Sequence, residues 1–240
     1  MNNQKELSRT KVDLFCNCPR CFYLDVVKGI RRPSGYPFTL NSAVDKLTKH
    51  EFDHYRAKGK PHPSFMKEYL NLVPLHHENI ELWRNNRKGV RVIYNRYLFY
   101  GAIDDIWVST KTGRWHIVDY KATAKKDPVK ELDMDAAHHK VHTRQLSFYN
   151  WLLTMNGYPM DEVGFFYYST GNNQAKTFAN TLSFESHIIP FNCDTSWVEP
   201  TLDQLIECIE SPIIAKSTNN CSYCQYVNNQ NTYLNTLKSE

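Results

Sequence analysis

The sequence predicts a globular α/β fold with a strand-rich middle segment. Apolar residues make up 41% and aromatic residues 13% of the 240-residue chain, which is enough for one sizeable core. Stretches with helical spacing of apolar residues flank stretches in which apolar and polar residues alternate. The coarse order is helix, three strands, helix and strand, with extensions at both ends. We therefore expect one domain over residues 1–240.

The first half of the chain predicts a long helix followed by strands. Two glycines and two prolines between Gly29 and Pro37 indicate a loop. Apolar residues then recur at helical spacing from residue 41 to about residue 56. Alternating stretches predict two strands within residues 89–108 and a third over residues 114–121. The turn Lys111-Thr-Gly113 joins the second of these strands to the third.

The second half predicts further helices and strands. Residues 143–156 have helical periodicity, and Gly157 follows as a helix-terminating residue. Residues 163–170 form a dense aromatic run that is typical of a strand. Residues 177–190 predict two more strands and residues 196–210 a further helix.

Two acids and a lysine in the strand-like stretches are the candidate catalytic residues. Asp119 and Lys121 are two residues apart, so their side chains leave the same face of an extended chain. Asp104 ends the run Gly101-Ala-Ile-Asp. Carboxylates bind Mg²⁺ or Mn²⁺, the metal activates a water and polarises a phosphoryl oxygen, and a lysine can neutralise developing charge.

The alternative for these residues is an exposed position on the strands. It fits the two acids poorly, because Asp is depleted in strands and both Asp104 and Asp119 follow apolar pairs. Asp105 would project to the opposite face, as a surface acid or as a support for the ligands. The pattern therefore favours a site for phosphodiester hydrolysis.

A polar residue also interrupts the apolar face of the helix predicted over residues 143–156. Gln145 shares that face with Tyr149, since residues four apart are neighbours on a helix. A buried amide needs hydrogen-bonding partners. Gln145 could bond a backbone group inside the core while Tyr149 packs. Alternatively, Gln145 lies near the metal site or a phosphate, and Tyr149 lines the substrate path.

This ordered set of residues resembles the PD-(D/E)xK nuclease superfamily, in its RecB-like branch, which includes CRISPR-associated RecB-like exonucleases. The resemblance implies a restriction-endonuclease-like core, a central mixed sheet flanked by helices, with cysteine-bearing extensions at both ends. The resemblance also implies roles for individual residues. Asp104, Asp119 and the carbonyl of Tyr120 would be metal ligands, and Lys121 would be the catalytic lysine. Gln145 and Tyr149 would be the pair that is specific to this branch.

One position departs from the family pattern. The family commonly has a histidine metal ligand on the first core helix, where this chain has Asp45. An oxygen ligand suits Mg²⁺. However, Ser42-Ala-Val-Asp45 also fits a capping box, and Asp45 could pair with Lys49 one turn later. Both interpretations stay open, and His50 and His54 are expected on a solvated face.

Two C-x2-C pairs lie near opposite ends of the chain. Cys18 and Cys21 form the first and Cys221 and Cys224 the second, and four thiolates complete the shell of one metal or cluster. The resemblance implies an iron–sulfur cluster, but its usual pattern is one N-terminal and three C-terminal cysteines. The two-plus-two arrangement fits structural Zn²⁺ equally well. We expect segments 11–28 and 211–230 to pack together.

The remaining cysteines are expected outside this site. Cys193 and Cys208 are expected to be free and buried, and Cys16 is a possible substitute ligand. The seven cysteines are an odd number, which argues against a disulfide framework.

The sequence therefore predicts a cytoplasmic, metal-dependent DNA nuclease. No apolar run approaches the roughly 20 residues that span a bilayer. A formal net charge of +4 tolerates a polyanion without requiring one. We expect DNA with single-stranded character as substrate and a helicase or other DNA-processing protein as partner. The alternatives are a non-cleaving binding module on the same fold and a structural zinc protein, and endonuclease and exonuclease action both stay open.

Overall fold

Seven helices and eight strands form within residues 5–237, the part of the chain that the computed structural model describes. The strands are β1 (Glu6–Ser8), β2 (Leu72–Pro74), β3 (Val90–Tyr94), β4 (Tyr97–Gly101), β5 (Asp105–Ser109), β6 (Trp115–Lys125), β7 (Val163–Asn172) and β8 (Phe184–Asn192). The helices are α1 (Arg9–Asn17), α2 (Pro19–Lys28), α3 (Thr39–Lys58), α4 (Ile80–Trp83), α5 (Ala137–Met155), α6 (Val198–Glu210) and α7 (Ser222–Leu237).

The residues group into two compact units. The sheet unit contains Pro37–Thr195 together with Lys5 and Glu6. The cysteine unit contains Leu7–Tyr36 and, of the described residues, those from Ser196 to Leu237. Among the residues described, no helix is both long and apolar enough to cross a membrane.

A five-stranded mixed sheet is the centre of the sheet unit. Its strand order is β2-β5-β6-β7-β8, and every neighbouring pair is antiparallel except β6 and β7. Parallel neighbours need a crossover connection, and the chain between β6 and β7 contains α5. The mixed α/β fold with a central mixed sheet and helices is thus confirmed.

Strand β6 is buried on both faces, and its alternating side chains meet different helices. Val118 and Tyr120 belong to a core cluster that includes Phe52 of α3, whose ring stacks on that of Tyr120 at a centroid distance of 5.5 Å. The other face of the strand carries Asp119, which meets α5. Because side chains alternate along a strand, this register brings Asp119 and Lys121 to the same face.

The segment over residues 89–108 contains three strands where the sequence predicts two. Strands β3 and β4 form a hairpin that lies in a separate small sheet with β1, and β5 belongs to the central sheet. Asn95 and Arg96 make the hairpin turn with left-handed φ values of 44° and 72°. Two-residue hairpin turns of this kind are usually marked by Asn-Gly or Asp-Gly, so Asn-Arg gave no clear turn signal.

The segment over residues 177–190 also differs from the prediction. It contributes one strand, β8, instead of two. Ala179 and Asn180 have φ values of 42° and 56°, a turn conformation that interrupts any extended strand there.

The cysteine unit is helical and carries each C-x2-C pair at a helix start. Cys18 is the residue that precedes α2, Pro19 is its first residue, and Gly29, whose φ is 72°, caps its C-terminal end. Cys221 directly precedes α7 in the same way. Each pair of cysteines therefore spans the first turn of a helix.

Candidate active site

Asp104 lies just before β5 and is held by contacts on both carboxylate oxygens. Lys49 Nζ donates to Asp104 Oδ1 at 2.8 Å, and the backbone N–H of Tyr120 donates to Oδ2 at 3.0 Å. Burial alone raises the pKa of Asp104, but the ammonium groups of Lys49 and Lys121 outweigh burial and lower it below the ordinary value. Asp104 is therefore a carboxylate at neutral pH.

Asp119 lies at the centre of the site, with no solvent exposure. Its Oδ2 forms an ion pair with Lys121 Nζ, and Gln145 Nε2 donates to its Oδ1 at 2.9 Å. Burial raises the pKa of Asp119 to about 7, with a further increase from the charge of Asp104, although Lys121 acts in the opposite direction. This carboxyl group therefore changes charge near neutral pH unless a cation joins it.

Gln145 connects the acids to α5. Besides its bond to Asp119, Gln145 Nε2 lies 3.2 Å from the hydroxyl oxygen of Tyr149, and Lys121 Nζ lies 3.5 Å from Gln145 Oε1. The amide thus contacts Asp119, Lys121 and Tyr149 at once. The sequence left two interpretations of Gln145, a bond to a backbone group in the core or a place near the acids. The structure places its amide beside the acids.

The ring of Tyr149 occupies space that Gly101 leaves open. A Cβ at position 101 would lie 2.5 Å from Cε1 of Tyr149, closer than carbon atoms can pack. Gly101 ends β4, three residues before Asp104. The glycine of the Gly101-Ala-Ile-Asp run therefore has a steric role beside the tyrosine.

Asp45 faces the same site from α3, through Lys49. Lys49 Nζ contacts Asp45 Oδ2 at 2.9 Å and Asp104 Oδ1 at 2.8 Å, so one ammonium bridges two acids. Burial raises the pKa of Asp45, as does the charge of Asp104. The pairing with Lys49 that the sequence offered is confirmed, and Asp45 still lies close enough to share a cation with Asp104.

The capping-box interpretation of Ser42 and Asp45 is wrong. Helix α3 begins at Thr39, so both residues lie inside it, and the Ser42 hydroxyl donates to the carbonyl of Phe38 at 3.1 Å. Lys49 is the residue that the sequence analysis missed as part of the site. Its spacing of four from Asp45 was the available signal, but its contact with Asp104 is not readable from spacing.

Tyr120 and Asp105 lie on the other face of β6 and β5. The Tyr120 hydroxyl donates to Asp105 Oδ2 at 2.5 Å, and Arg56 Nη2 contacts Asp105 Oδ1 at 2.6 Å. Asp105 has no solvent exposure, so the surface position considered for it is wrong. The neighbouring Arg84 donates from Nε to the backbone carbonyl of Asp104 at 2.8 Å, which ties this charged cluster to the site.

A cavity of about 400 Å³ adjoins the site within the sheet unit. Asp45 and Lys121 line it together with Phe38, Asn41 and His142. It therefore offers acidic, basic, amide and aromatic groups to a molecule that approaches the carboxylates. His50 and His54 are both exposed, as expected.

The donors at this site suit a hard divalent cation. Three carboxylates, those of Asp45, Asp104 and Asp119, surround the ammonium groups of Lys49 and Lys121. Mg²⁺ and Mn²⁺ prefer such oxygen ligands, and a buried carboxylate with a raised pKa gains from a nearby positive charge. The residues present therefore fit the metal that the resemblance implies.

The four cysteines of the two C-x2-C pairs form a buried group that joins the N- and C-terminal regions. Their sulfur atoms all lie within 4.8 Å of one another, a geometry able to hold a metal ion. Cys16, Cys193 and Cys208 lie outside this group, so Cys16 does not substitute for a ligand. Cys193 is buried as expected, whereas Cys208 is half-buried.

Comparison with known proteins adds a family to this geometry. A family model described as the PD-(D/E)XK nuclease superfamily matches residues 6–228. No curated protein matches the chain. A solved structure described as the crystal structure of SSO0001 is similar at 14% sequence identity, covering 88% of this chain and 80% of that one, with a TM-score of 0.37.

Proposed function

Because the chain belongs to the PD-(D/E)XK nuclease superfamily, we propose that it is a metal-dependent DNA nuclease of the RecB-like branch. One observation carries this proposal: Asp104, Asp119, Lys121 and Gln145 come from three separate segments of the chain, and contacts connect them into one group, with Asp104 linked through the backbone N–H of Tyr120. The reaction would be hydrolysis of a phosphodiester bond by a metal-activated water.

The proposed metal ligands are Asp104, Asp119, the carbonyl of Tyr120 and Asp45. They would hold one or two Mg²⁺ or Mn²⁺ ions, which activate water and stabilise charge on the phosphate. Asp104 is already a carboxylate in the protein, and the ion pairs of Asp45 and Asp104 with the one Lys49 ammonium support a cation shared by both acids. Lys49 would have to withdraw from at least one of them.

Lys121, Gln145 and Tyr149 would act on the substrate and on one another. The Lys121 ammonium would orient the attacking water or neutralise charge on the phosphate. The amide nitrogen of Gln145 donates to Asp119, and its amide oxygen lies near Lys121. Gln145 would therefore keep the carboxylate and the ammonium group in fixed positions relative to each other. Tyr149 holds Gln145 and would line the substrate path.

The cavity beside the site supports a nucleic-acid substrate. Its volume of about 400 Å³ suits a part of a nucleotide, and the ring of Phe38 at its edge is 78% exposed. An unpaired base can stack on such a ring, so we propose DNA with single-stranded character as substrate. A helicase or another DNA-processing protein would supply that strand, and we propose that the protein acts in the cytoplasm.

The rest of the proposal concerns the organisation of the chain. Residues 1–240 would act as a single nuclease domain. The cysteine-bearing segments 11–28 and 211–230 would pack together and stabilise it. The four cysteines would hold Zn²⁺ or an iron–sulfur cluster, and this centre would have an architectural role.

The test is cleavage of labelled single- and double-stranded DNA with Mg²⁺, Mn²⁺ or chelator. Asp119→Asn and Lys121→Met should each lose at least about 100-fold in rate while keeping the circular dichroism spectrum of the parent. The controls are Asp127→Asn and Lys111→Met, which change exposed residues of the same types and should cut normally.

Two outcomes would contradict the proposal. Cleavage by Asp119→Asn at the parent's rate would remove the assigned site. Binding of DNA by the parent without cleavage under any metal condition would instead indicate a non-cleaving module on the same fold.

A further inference from the structure

The sulfur atoms of the four-cysteine group are closely spaced. Cys18 Sγ lies 3.8 Å from Cys224 Sγ, and Cys21 Sγ lies 3.6 Å from Cys221 Sγ and 3.5 Å from Cys224 Sγ. Four thiolates bound to one tetrahedral Zn²⁺ at about 2.3 Å are separated by about 3.8 Å from one another. These three distances are close to that value, and all four sulfur atoms lie within 4.8 Å of one another, so the spacing suits a shell around a single ion.

A multinuclear cluster needs a wider opening. In a four-iron, four-sulfide cluster each cysteine binds a different iron, so the four sulfur atoms surround eight cluster atoms instead of one ion. Here all four sulfur atoms lie within 4.8 Å of one another and all four cysteines are buried. To admit a cluster, the two C-x2-C segments would have to move apart.

The backbone fixes each cysteine pair at the start of a helix. Cys18 O accepts a hydrogen bond from Phe22 N at 3.0 Å, and Cys221 O accepts one from Gln225 N at 3.0 Å. Both are first-turn helical bonds, so each cysteine pair is part of a rigid helix start. The spacing of the thiolates is therefore set by how the starts of α2 and α7 pack within the cysteine unit.

The guanidinium group of Arg32 contacts one of the four sulfur atoms. Arg32 Nη2 donates to Cys221 Sγ at 3.4 Å, and the guanidinium lies over the ring of Tyr223 at 4.6 Å. Four thiolates on one Zn²⁺ carry a net charge of −2, which is costly to bury. A donated N–H and a positive charge at one thiolate reduce this charge and lower the reactivity of the sulfur.

We infer that the four cysteines form a mononuclear zinc site, in place of an iron–sulfur cluster, and that Arg32 is a positioning residue that stabilises it through Cys221. This assignment depends on the cysteine unit alone, so it holds or fails independently of the nuclease activity. It also explains why the ligands come in two pairs: each helix start supplies two of the four corners of a tetrahedron.

The metal is identified by composition. The protein is purified without oxygen from cells supplied with both iron and zinc, and its zinc, iron and acid-labile sulfide are measured. We expect about one zinc per chain and no sulfide, in a colourless preparation. Exchange with Co²⁺ should give the visible bands of a tetrahedral tetrathiolate. About four irons with sulfide per chain, or no metal at all, would overturn the zinc assignment.

The role of Arg32 is tested by zinc affinity, measured in competition with a fluorescent chelator. Arg32→Met should weaken binding about tenfold or more, and Arg32→Lys should restore part of the loss by keeping the charge. The zinc-bound thiolates of Arg32→Met should also be alkylated faster. Arg31→Met, at an exposed neighbouring position, is the control. Equal affinity and equal alkylation in the Arg31 and Arg32 variants would overturn this role.

Discussion

The charge of Asp119 depends on its surroundings in the sheet unit. It has no solvent exposure, it contacts Lys121 and Gln145, and its pKa is raised to about 7 by burial. In the unfolded chain this carboxyl group has the ordinary pKa of about 3.8. The folded protein therefore holds a proton that the unfolded chain releases between these two pH values.

The first prediction concerns the pH dependence of stability in buffer without divalent cations. Because the folded pKa of Asp119 is raised, ionising it costs stability as the pH rises from about 4 to about 7. Asp119→Asn removes this cost. The free energy of unfolding of the variant should therefore equal that of the parent near pH 4 and exceed it by a few kcal/mol at pH 8. Urea unfolding at both pH values measures the difference. Parallel pH profiles for the two proteins would contradict the assigned shift.

Gly101 gives a second prediction at the residue scale. A Cβ there would meet the Tyr149 ring at 2.5 Å, so Gly101→Ala should displace the ring and its contact with Gln145. We expect a loss of about 1–3 kcal/mol in the free energy of unfolding, together with slower cleavage. Gly35→Ala is the control, because a Cβ at Gly35 meets no atom within 4 Å. Equal stability of the two variants would show that Tyr149 has room to move.

At the scale of elements, a buried charged cluster ties α3 to β5 behind the site. Asp105 accepts from Arg56 on α3 and from the Tyr120 hydroxyl, and Arg84 lies 3.4 Å from the same carboxylate. Burial raises the pKa of Tyr120 well above its usual value, as does the charge of Asp105, so its hydroxyl stays a donor. This cluster fixes the backbone from which Asp104 projects.

Removal of Asp105 should therefore destabilise the protein strongly. Asp105→Ala leaves two buried guanidinium groups without their central partner, and we expect a loss of about 3–5 kcal/mol. Glu81→Ala is the matched control: it removes an acid that contacts the same Arg84 but is mostly exposed. That variant should lose less than about 1 kcal/mol. Denaturant unfolding measures the free energy of unfolding of both variants. Similar losses in the two variants would mean that the buried cluster contributes little to stability.

At the scale of the whole molecule, the four cysteines join two distant parts of the chain. Cys18 and Cys21 lie near its start and Cys221 and Cys224 near its end, so a metal held by all four closes a very long loop. Closing such a loop restricts the unfolded chain, and metal binding of this kind contributes directly to folding. The catalytic candidates belong to the other unit.

A ligand cysteine should therefore matter more for stability than for catalysis. Cys221→Ser should lower the free energy of unfolding by about 4 kcal/mol or more, because it removes a metal ligand. Its cleavage rate per folded molecule should equal that of the parent at a temperature where enough protein stays folded. Cys16→Ser, outside the group of four, should leave stability nearly unchanged. Full stability of Cys221→Ser without bound metal would contradict the architectural role.

The elements of the sheet unit were predictable where local patterns are strong. Helix α5 and strands β6 and β7 carry long periodic runs, and each was expected as the right type of element, although α5 begins six residues before its predicted start and β6 ends four residues beyond its predicted end. The Asn95-Arg96 turn was missed because its residues are unusual for a hairpin, and a third strand in that segment was missed with it. The short β2 has only three residues and no periodicity to detect.

The sequence by itself determined which residues could do chemistry: an Asp-x-Lys on one strand face, Gln145 and Tyr149 one helical turn apart, and two C-x2-C pairs. These relations span at most four residues, so they follow from strand and helix geometry alone. Only the tertiary structure decided that Lys49 bridges Asp45 and Asp104 and that Asp105 is buried beside arginines. It also decided that the four cysteine sulfur atoms lie within 4.8 Å of one another. Those contacts join residues far apart in the chain, and only the packing of the elements defines their distances.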